Sequence, residues 1–432
     1  MGGPLHTLTQ ELASKAQVRA AFLPHTHREV IVIYLRTGSR YETAQQSGLS
    51  HFLEHMLFRG TASHPSAHLL ASAFEDLGGT LEATTGTDYG TLAIAVPPES
   101  FSETLAHLAE VVSAPLLTDL EAERNIISEE ILEDLDDQGR VVHALSLGRA
   151  LAFPGHGMGR LITGPLENLQ RFTVADLREH HSRTYVGQGM ALAVAGPIAP
   201  ELALAAIEHR FSTLPIGQEL SVLAPPPMTG PAFDFVPRKG SSQTRVYTAF
   251  RTSGYLDPRD AALEMLLRIL DDGLSTRLYH RLCDESGLCY DVQGSYEAFS
   301  DSGIVEISAD TAHERVPRVL EKILAILNDV AEHGPLEREL ERARRRARWQ
   351  HLAVLDDPGE IADYLGFSSL SGTALVPDLR LEELLAVSGA DIREAAQALS
   401  RPASRVVVAV GQQKPAALEK LRALAESGSP PR

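Results

Sequence analysis

The sequence predicts an α+β protein made of two homologous α/β-sandwich halves joined by a proline-rich linker. Three observations carry that expectation. First, two β-rich landmarks recur at one offset. Glu29–Arg40 matches Thr244–Tyr255 in residue class, with Arg36 and Arg251 215 residues apart, and Gly187–Gly196 matches Pro402–Gly411, with Gly196 and Gly411 again 215 apart. Second, Pro215, Pro225, Pro226, Pro227, Pro231 and Pro237 crowd one stretch, a composition that favours extended, semi-rigid backbone. Third, helical patterns come in pairs between groups of strands, unlike the strict alternation of a doubly wound parallel sheet. The domains expected are 1–214, a linker 215–237, and 238–432.

The elements follow in order. Glu29–Arg40 is a β-rich run ending in a turn. His51–Phe58 lies in an apolar, helix-compatible stretch closed by Gly60. Tyr89–Val96 reads as a strand, and as a candidate edge strand able to take an extended peptide by strand addition. Thr104–Val112, Asp119–Leu135 and Pro317–Ala331 repeat apolar residues at helical spacing. Gly303–Ala309 reads as a strand. Glu337–Arg348 is expected to be a solvated helix with i,i+4 charge pairs. The tail Ser427–Arg432, polar and proline-bearing, is expected to be disordered.

Composition narrows the function classes. The 432 residues carry 39 Lys and Arg against 57 Asp and Glu, a net charge of −18. That balance argues against nucleic acid or an anionic membrane as partner, because both need a basic face. Peptides, cationic ligands and metals stay open. Cys283 and Cys289 are the two cysteines, too few for a disulfide framework, and are expected as buried thiols. No apolar run approaches the roughly 20 residues of a membrane span, and Met1–Pro24 has no run of signal-peptide length. The expected compartment is cytoplasmic. His25, His27, His180 and His181 lack a carboxylate at useful spacing and are expected at the surface.

The segment that carries chemistry is His51-Phe52-Leu53-Glu54-His55. On a helix, His51 and His55 stack one turn apart, and Glu54 shares their face. Two neutral imidazoles so placed can converge on a tetrahedral zinc, with the carboxylate between them set to take a proton from a metal-bound water. A catalytic zinc needs a third protein ligand. Glu123 and Glu130 lie two helical turns apart, with Ile126 and Ile127 expected to bury that helix edge. Glu130 is the expected third ligand and Glu123 the group that holds a ligand in place. Glu129, the competing choice, lies about 100° around the helix. The alternative for Glu123 is a surface pair with Arg124 or Arg346. In the second half, the 215 offset puts Leu266, Ile269 and Leu270 where the first half has His51, Glu54 and His55, so one metal per chain follows.

Gly48–Thr61, G-L-S-H-F-L-E-H-M-L-F-R-G-T, closely resembles the pitrilysin/insulinase family of zinc metallopeptidases, the inverzincins. Similarity continues through Leu77–Tyr89, Glu123–Asp137, Ala152–Gly164, Asp176–Gly196 and Gly273–Thr311. The resemblance implies zinc on His51, His55 and Glu130, with Glu54 as general base. It also implies that half-length chains of this kind, similar to mitochondrial processing peptidase subunits, pair as a clamshell around an unfolded peptide. Homodimer and heterodimer with a metal-free homologue both stay open. Two departures stand out. Glu82 occupies the position where the family commonly has a substrate-holding asparagine. Tyr290 matches the tyrosine of the family's Arg/Tyr substrate pair, but the arginine falls on Cys283, and neither Arg277 nor Arg281 is in register. The implied activity is endopeptidase cleavage of peptides or unfolded segments. The alternatives are a zinc-bearing subunit that needs a metal-free partner, and a non-catalytic assembly subunit.

Overall fold

The computed structural model describes residues 5–373 and 376–427. Residues 428–432 of the expected disordered tail lie outside them. Among the described residues, eleven strands form two sheets. The first contains β1 (Thr7–Glu11), β2 (Gln17–Phe22), β3 (Glu29–Leu35), β4 (Glu82–Thr85), β5 (Gly90–Val96) and β6 (Met190–Gly196), in the order β1-β2-β6-β3-β5-β4. The second contains β7 (Ala232–Pro237), β8 (Thr244–Thr252), β9 (Cys289–Ala298), β10 (Gly303–Thr311) and β11 (Arg405–Gly411), in the order β7-β11-β8-β10-β9. Apart from β1, which has no counterpart in the second sheet among the described residues, the pairing is the same in both. β2 runs parallel to β6 and β7 parallel to β11, and the other pairs are antiparallel. β2 and β7, β3 and β8, and β6 and β11 each begin 215 residues apart. The duplication expected from two short landmarks therefore extends to strand order and direction.

β3 and β6 are buried along their whole length, so both faces of the sheet need cover. The cover explains a correction to the domain boundaries. The chain forms two compact units, one of Met1–Ile131, Leu161–Leu223 and Gln350–Asp378, the other of Leu132–Arg160, Ala224–Trp349 and Leu379–Arg432. They are not the contiguous stretches 1–214 and 238–432. A helix over Pro358–Ser371 belongs to the first unit and packs on β2, β3 and β6, whereas a helix over Ala144–Ala152 belongs to the second and packs on β8 and β11. Each approaches its sheet through a glycine seated on a tyrosine ring. A Cβ at Gly366 would lie 2.6 Å from the Tyr34 ring, and one at Gly148 would lie 1.9 Å from the Tyr247 ring. The tyrosine hydroxyls donate to carboxylates, Tyr34 to Asp363 and Tyr247 to Glu306. Short helices of mixed composition do not reveal which sheet they cover, so the exchange has no signature in the sequence.

Two further expectations change. The linker assigned to 215–237 runs into β7, because Phe233, Phe235 and Val236 pack while the prolines lie before and after the strand core. β5 is interior, paired with both β3 and β4, so the sheet edge is β4 rather than Tyr89–Val96. Four residues reading E-A-T-T are too short and too polar to register as a strand on their own. The helices expected at Thr104–Val112, Asp119–Leu135 and Pro317–Ala331 span Phe101–Ser113, Leu120–Glu133 and Val316–His333. Glu337–Asp356 is helical, with Leu340, Ala343 and Ala347 as its buried residues. Among the described residues no helix is long and apolar enough to cross a membrane.

Candidate metal centre

The motif sits on the helix Leu49–Leu57. Gly48 starts it at φ 96, and a Cβ there would lie 2.4 Å from the Thr163 carbonyl oxygen, so the position requires glycine. The Gly48 and Ser50 N–H groups donate to the two oxygens of Glu42 at 2.9 and 2.7 Å. That carboxylate satisfies two orphan donors and favours the positive end of the helix dipole. Phe52, Leu53, Met56 and Leu57 are fully buried and fix the helix rotation. The remaining face presents His51, Glu54 and His55.

Beneath the helix lies His180, which is buried and not at the surface as expected. The Arg183 guanidinium meets its Nδ1 at 3.2 Å, and Nε2 lies 3.0 Å from Ser50 Oγ. Since guanidinium can only donate, Nδ1 accepts and Nε2–H is the donor to Ser50. Burial, then the charge of Arg183 and proximity to His181, lowers the His180 pKa to about 3. His181 Nε2–H donates to the Val112 carbonyl oxygen at 2.8 Å.

The helix Leu120–Glu133 brings the carboxylates. Ile127 is fully buried, Glu123 is buried, and Glu130 reaches the cluster with a half-exposed side chain. Ile126, expected to share the buried edge, is instead 52% exposed. His51 Nε2 lies 3.5 Å from one Glu130 oxygen and His55 Nε2 lies 3.8 Å from the other. Neighbouring ligand atoms around a tetrahedral zinc with 2.0–2.1 Å bonds are about 3.4 Å apart. The donor set therefore fits zinc in type and in spacing. Among the described residues, His51, His55 and Glu130 are the one group of His, Cys, Asp and Glu side chains with metal-holding geometry, their ligand atoms all within 4.8 Å. Glu129 is not in it.

Electrostatics suit the arrangement. Burial, then proximity to His55, pulls the His51 pKa down to about 3, so the imidazole is neutral at physiological pH. His55 is drawn the other way: burial opposes its charge, but the Glu123 hydrogen bond and the Glu54, Glu123 and Glu130 charges outweigh it. His55 Nδ1 lies 2.8 Å from Glu123, which leaves Nε2 facing the cluster. Glu123 is itself held by Arg59 at 3.2 Å. Its alternative partners are engaged elsewhere: Arg124 binds Glu121 and the Leu169 and Phe172 carbonyls, and Arg346 pairs with Asp272. Glu54 shares the helix face, and burial raises its pKa while a hydrogen bond from the Thr85 hydroxyl opposes the rise.

Sequence reasoning missed Glu42, Arg59, Thr85 and His180. All four act through tertiary contacts, and only Arg59 lies beside the motif, where F-R-G was a local hint. Glu82 is exposed on β4, and its side chain points to the sheet face opposite that of Thr85. In the second unit Tyr290 is the second residue of β9 and is 92% exposed, which excludes a core role. Cys283 is half-buried with its Sγ 3.5 Å from that of buried Cys289. Arg277 is buried in ion pairs with Asp329 at 3.0 Å and Glu339 at 2.7 Å, and Arg281 binds Asp329 at 2.8 Å. Both guanidinium groups are engaged within the fold. Leu266, Ile269 and Leu270 are buried on the helix Asp260–Leu270, so the second unit is apolar where the first has its motif.

Comparison with known proteins gives a consistent picture. Residues 21–151 match the model for Insulinase (Peptidase family M16), and residues 171–347 match that for the Peptidase M16 inactive domain. An uncharacterized zinc protease of Mycobacterium leprae is 30% identical over 357 residues, 81% of this chain and 79% of that protein. One from Bacillus subtilis is 27% identical over 335 residues, 77% of this chain and 80% of that protein. Among solved structures, a protease from Helicobacter pylori has a TM-score of 0.87 at 18% identity, covering 94% of this chain and 100% of that one. A peptidase M16 inactive domain from Pseudomonas fluorescens also has 0.87, at 20% identity and 95% and 100% coverage. The periplasmic protease PqqL from Escherichia coli has 0.78 at 20% identity, covering 99% of this chain but 51% of that one.

Proposed function

This chain belongs to the insulinase family of peptidases, family M16, and from that premise we propose that it is a zinc-dependent endopeptidase acting on peptides or unfolded segments. The observation that carries the proposal is the convergence of His51 Nε2, His55 Nε2 and the Glu130 carboxylate, with Glu54 beside them on the same helix face. Those three side chains would hold the metal. Zinc, when bound, supplies Lewis acidity at the scissile carbonyl and makes water acidic enough to lose a proton near neutral pH. Glu54 takes that proton and later delivers it to the leaving amine nitrogen. A carboxylate whose pKa burial has raised is better matched to both tasks than one in water. Glu123, with Arg59 behind it, fixes the ring of His55. The free edge of β4 offers N–H and C=O groups to an extended substrate, and Glu82 and Thr84 face the same side of it.

Removing metal with a chelator should abolish cleavage of an unstructured peptide, and zinc should restore it. In His55→Ala, zinc should restore nothing. Cleavage that survives complete metal removal would contradict the proposal.

One observation favours a second reading, the zinc-bearing subunit of a heterodimer. Cys283 stands where the resemblance places an arginine, and Arg277 and Arg281 are committed to Asp329 and Glu339. A partner lacking the metal set would then supply substrate grip. A non-catalytic assembly role is disfavoured, because such a subunit has no use for a complete donor set.

A further inference from the structure

The Glu54 carboxylate has one hydrogen-bond donor among the described residues, the hydroxyl of Thr85. Thr85 is not on the motif helix. It ends β4, the strand at the free edge of the first sheet, where it pairs with Gly90 of β5. The side chains of β4 alternate: Glu82 and Thr84 are exposed, whereas Ala83 and Thr85 are half-buried on the other face. Thr84 is tied across the sheet to Thr91, hydroxyl to hydroxyl, at 2.5 Å. β4 is thus held in register while Thr85 reaches out of it toward the motif helix, whose own rotation is fixed by four fully buried side chains. A glutamate on a helix still has three rotatable torsions, and among the described residues no group of the helix donates a hydrogen bond to this carboxylate.

We propose that Thr85 is the positioning residue for Glu54. Its hydroxyl donates to Glu54 Oε2 and leaves Oε1 to accept the proton, so the orientation of the base is set by the sheet edge and not by the helix that carries it. The proposal rests on the reading of Glu54 as the base. It adds a consequence: the strand that a substrate extends and the group that activates the attacking water are linked through one side chain. Displacement of β4 therefore misplaces the base, and an error of about 1 Å in such geometry can cost on the order of a hundredfold in rate.

The test uses the zinc-loaded full chain, an unstructured fluorogenic peptide, and Thr85→Val, which keeps the shape and β-branching but removes the hydroxyl. Thr85→Val should lower kcat by on the order of tenfold or more, with KM changed less than about twofold and zinc content unchanged. Thr85→Ser should recover most of the loss, and Thr85→Ala should behave like the valine variant if valine perturbs folding. A second readout needs no activity: in the metal-free protein, Thr85→Val should lower Tm more in wild type than in Glu54→Ala, because the bond is absent from the latter. Wild-type kcat in Thr85→Val, failure of serine to rescue, an effect confined to KM, or additive Tm shifts would each overturn the proposal. Glu54→Gln, assayed in parallel, separates the two ideas. Full activity there would refute the base itself, whereas an inactive Glu54→Gln beside a fully active Thr85→Val would refute only the role of Thr85.

Discussion

Glu123 and Glu130 are the same residue type two turns apart on one helix, yet the fold gives them different surroundings. Glu123 is buried between His55 and Arg59, and Glu130 meets both histidines from a half-exposed position. Glu130→Gln should weaken zinc binding in a chelator competition far more than Glu129→Gln. Glu123→Gln should cost about 10–100-fold in activity with a smaller loss of metal, as expected for a group that orients a ligand. Equal metal loss at Glu129 and Glu130 would mean that the helix phase is wrong. The convergence of these side chains was legible in the sequence, because i,i+4 and i,i+7 spacing on a helix fixes which side chains share a face. The groups that support the cluster from elsewhere in the fold were not. Glu42, Thr85 and His180 approach from loops, an edge strand and a distant helix, and no local pattern links them to residues 51–55.

At the scale of elements, the strands and long helices were legible because their apolar periodicity is strong, and the short or polar pieces were not. β4 was missed and its neighbour β5 was taken for the edge. The exchanged helices Ala144–Ala152 and Pro358–Ser371 were missed as exchanged, since a glycine seated on a tyrosine from the other part of the chain is a purely tertiary fact. Gly148→Ala should therefore destabilise the second unit, by about 1–3 kcal/mol for an overpacked contact, because a Cβ would stand 1.9 Å from the Tyr247 ring. Chemical denaturation checks this, and a neutral result would mean that the helix moves freely on its sheet. His180 makes a pH prediction for the support beneath the motif helix. Its pKa is about 3 when folded and about 6.5 when unfolded. The unfolded chain therefore binds a proton that the folded chain refuses between those values. The stability contribution of His180 is full above pH 6.5 and is lost as pH falls toward 3. Tm of the metal-free protein should drop less between pH 7 and pH 5 in His180→Gln than in wild type.

The whole molecule is a duplication in which one unit carries the histidine–glutamate cluster. Five strands of each sheet share order and direction, but the helix that carries His51, Glu54 and His55 in one unit carries Leu266, Ile269 and Leu270 in the other. That asymmetry could be read from the 215-residue offset alone. What the offset could not show is the segment exchange, which makes each compact unit depend on residues from both halves of the chain. The missing arginine at Cys283 sets the prediction for assembly. If substrate grip is short by one guanidinium, Cys283→Arg should raise the peptidase activity of the isolated chain, measured alongside its mass by light scattering. Robust activity from a pure wild-type homodimer, lost in Arg281→Ala, would overturn the heterodimer reading.

The central claim is that His51, His55 and Glu130 hold one zinc and that Glu54 performs the proton transfer. The most direct measurement is zinc content and peptide hydrolysis on the same preparations of wild type and Glu54→Gln. The account predicts one zinc per chain in both, with cleavage reduced by about 10²–10⁴-fold in the variant, the range that general-base catalysis contributes. Zinc retained together with near wild-type cleavage in Glu54→Gln would contradict it.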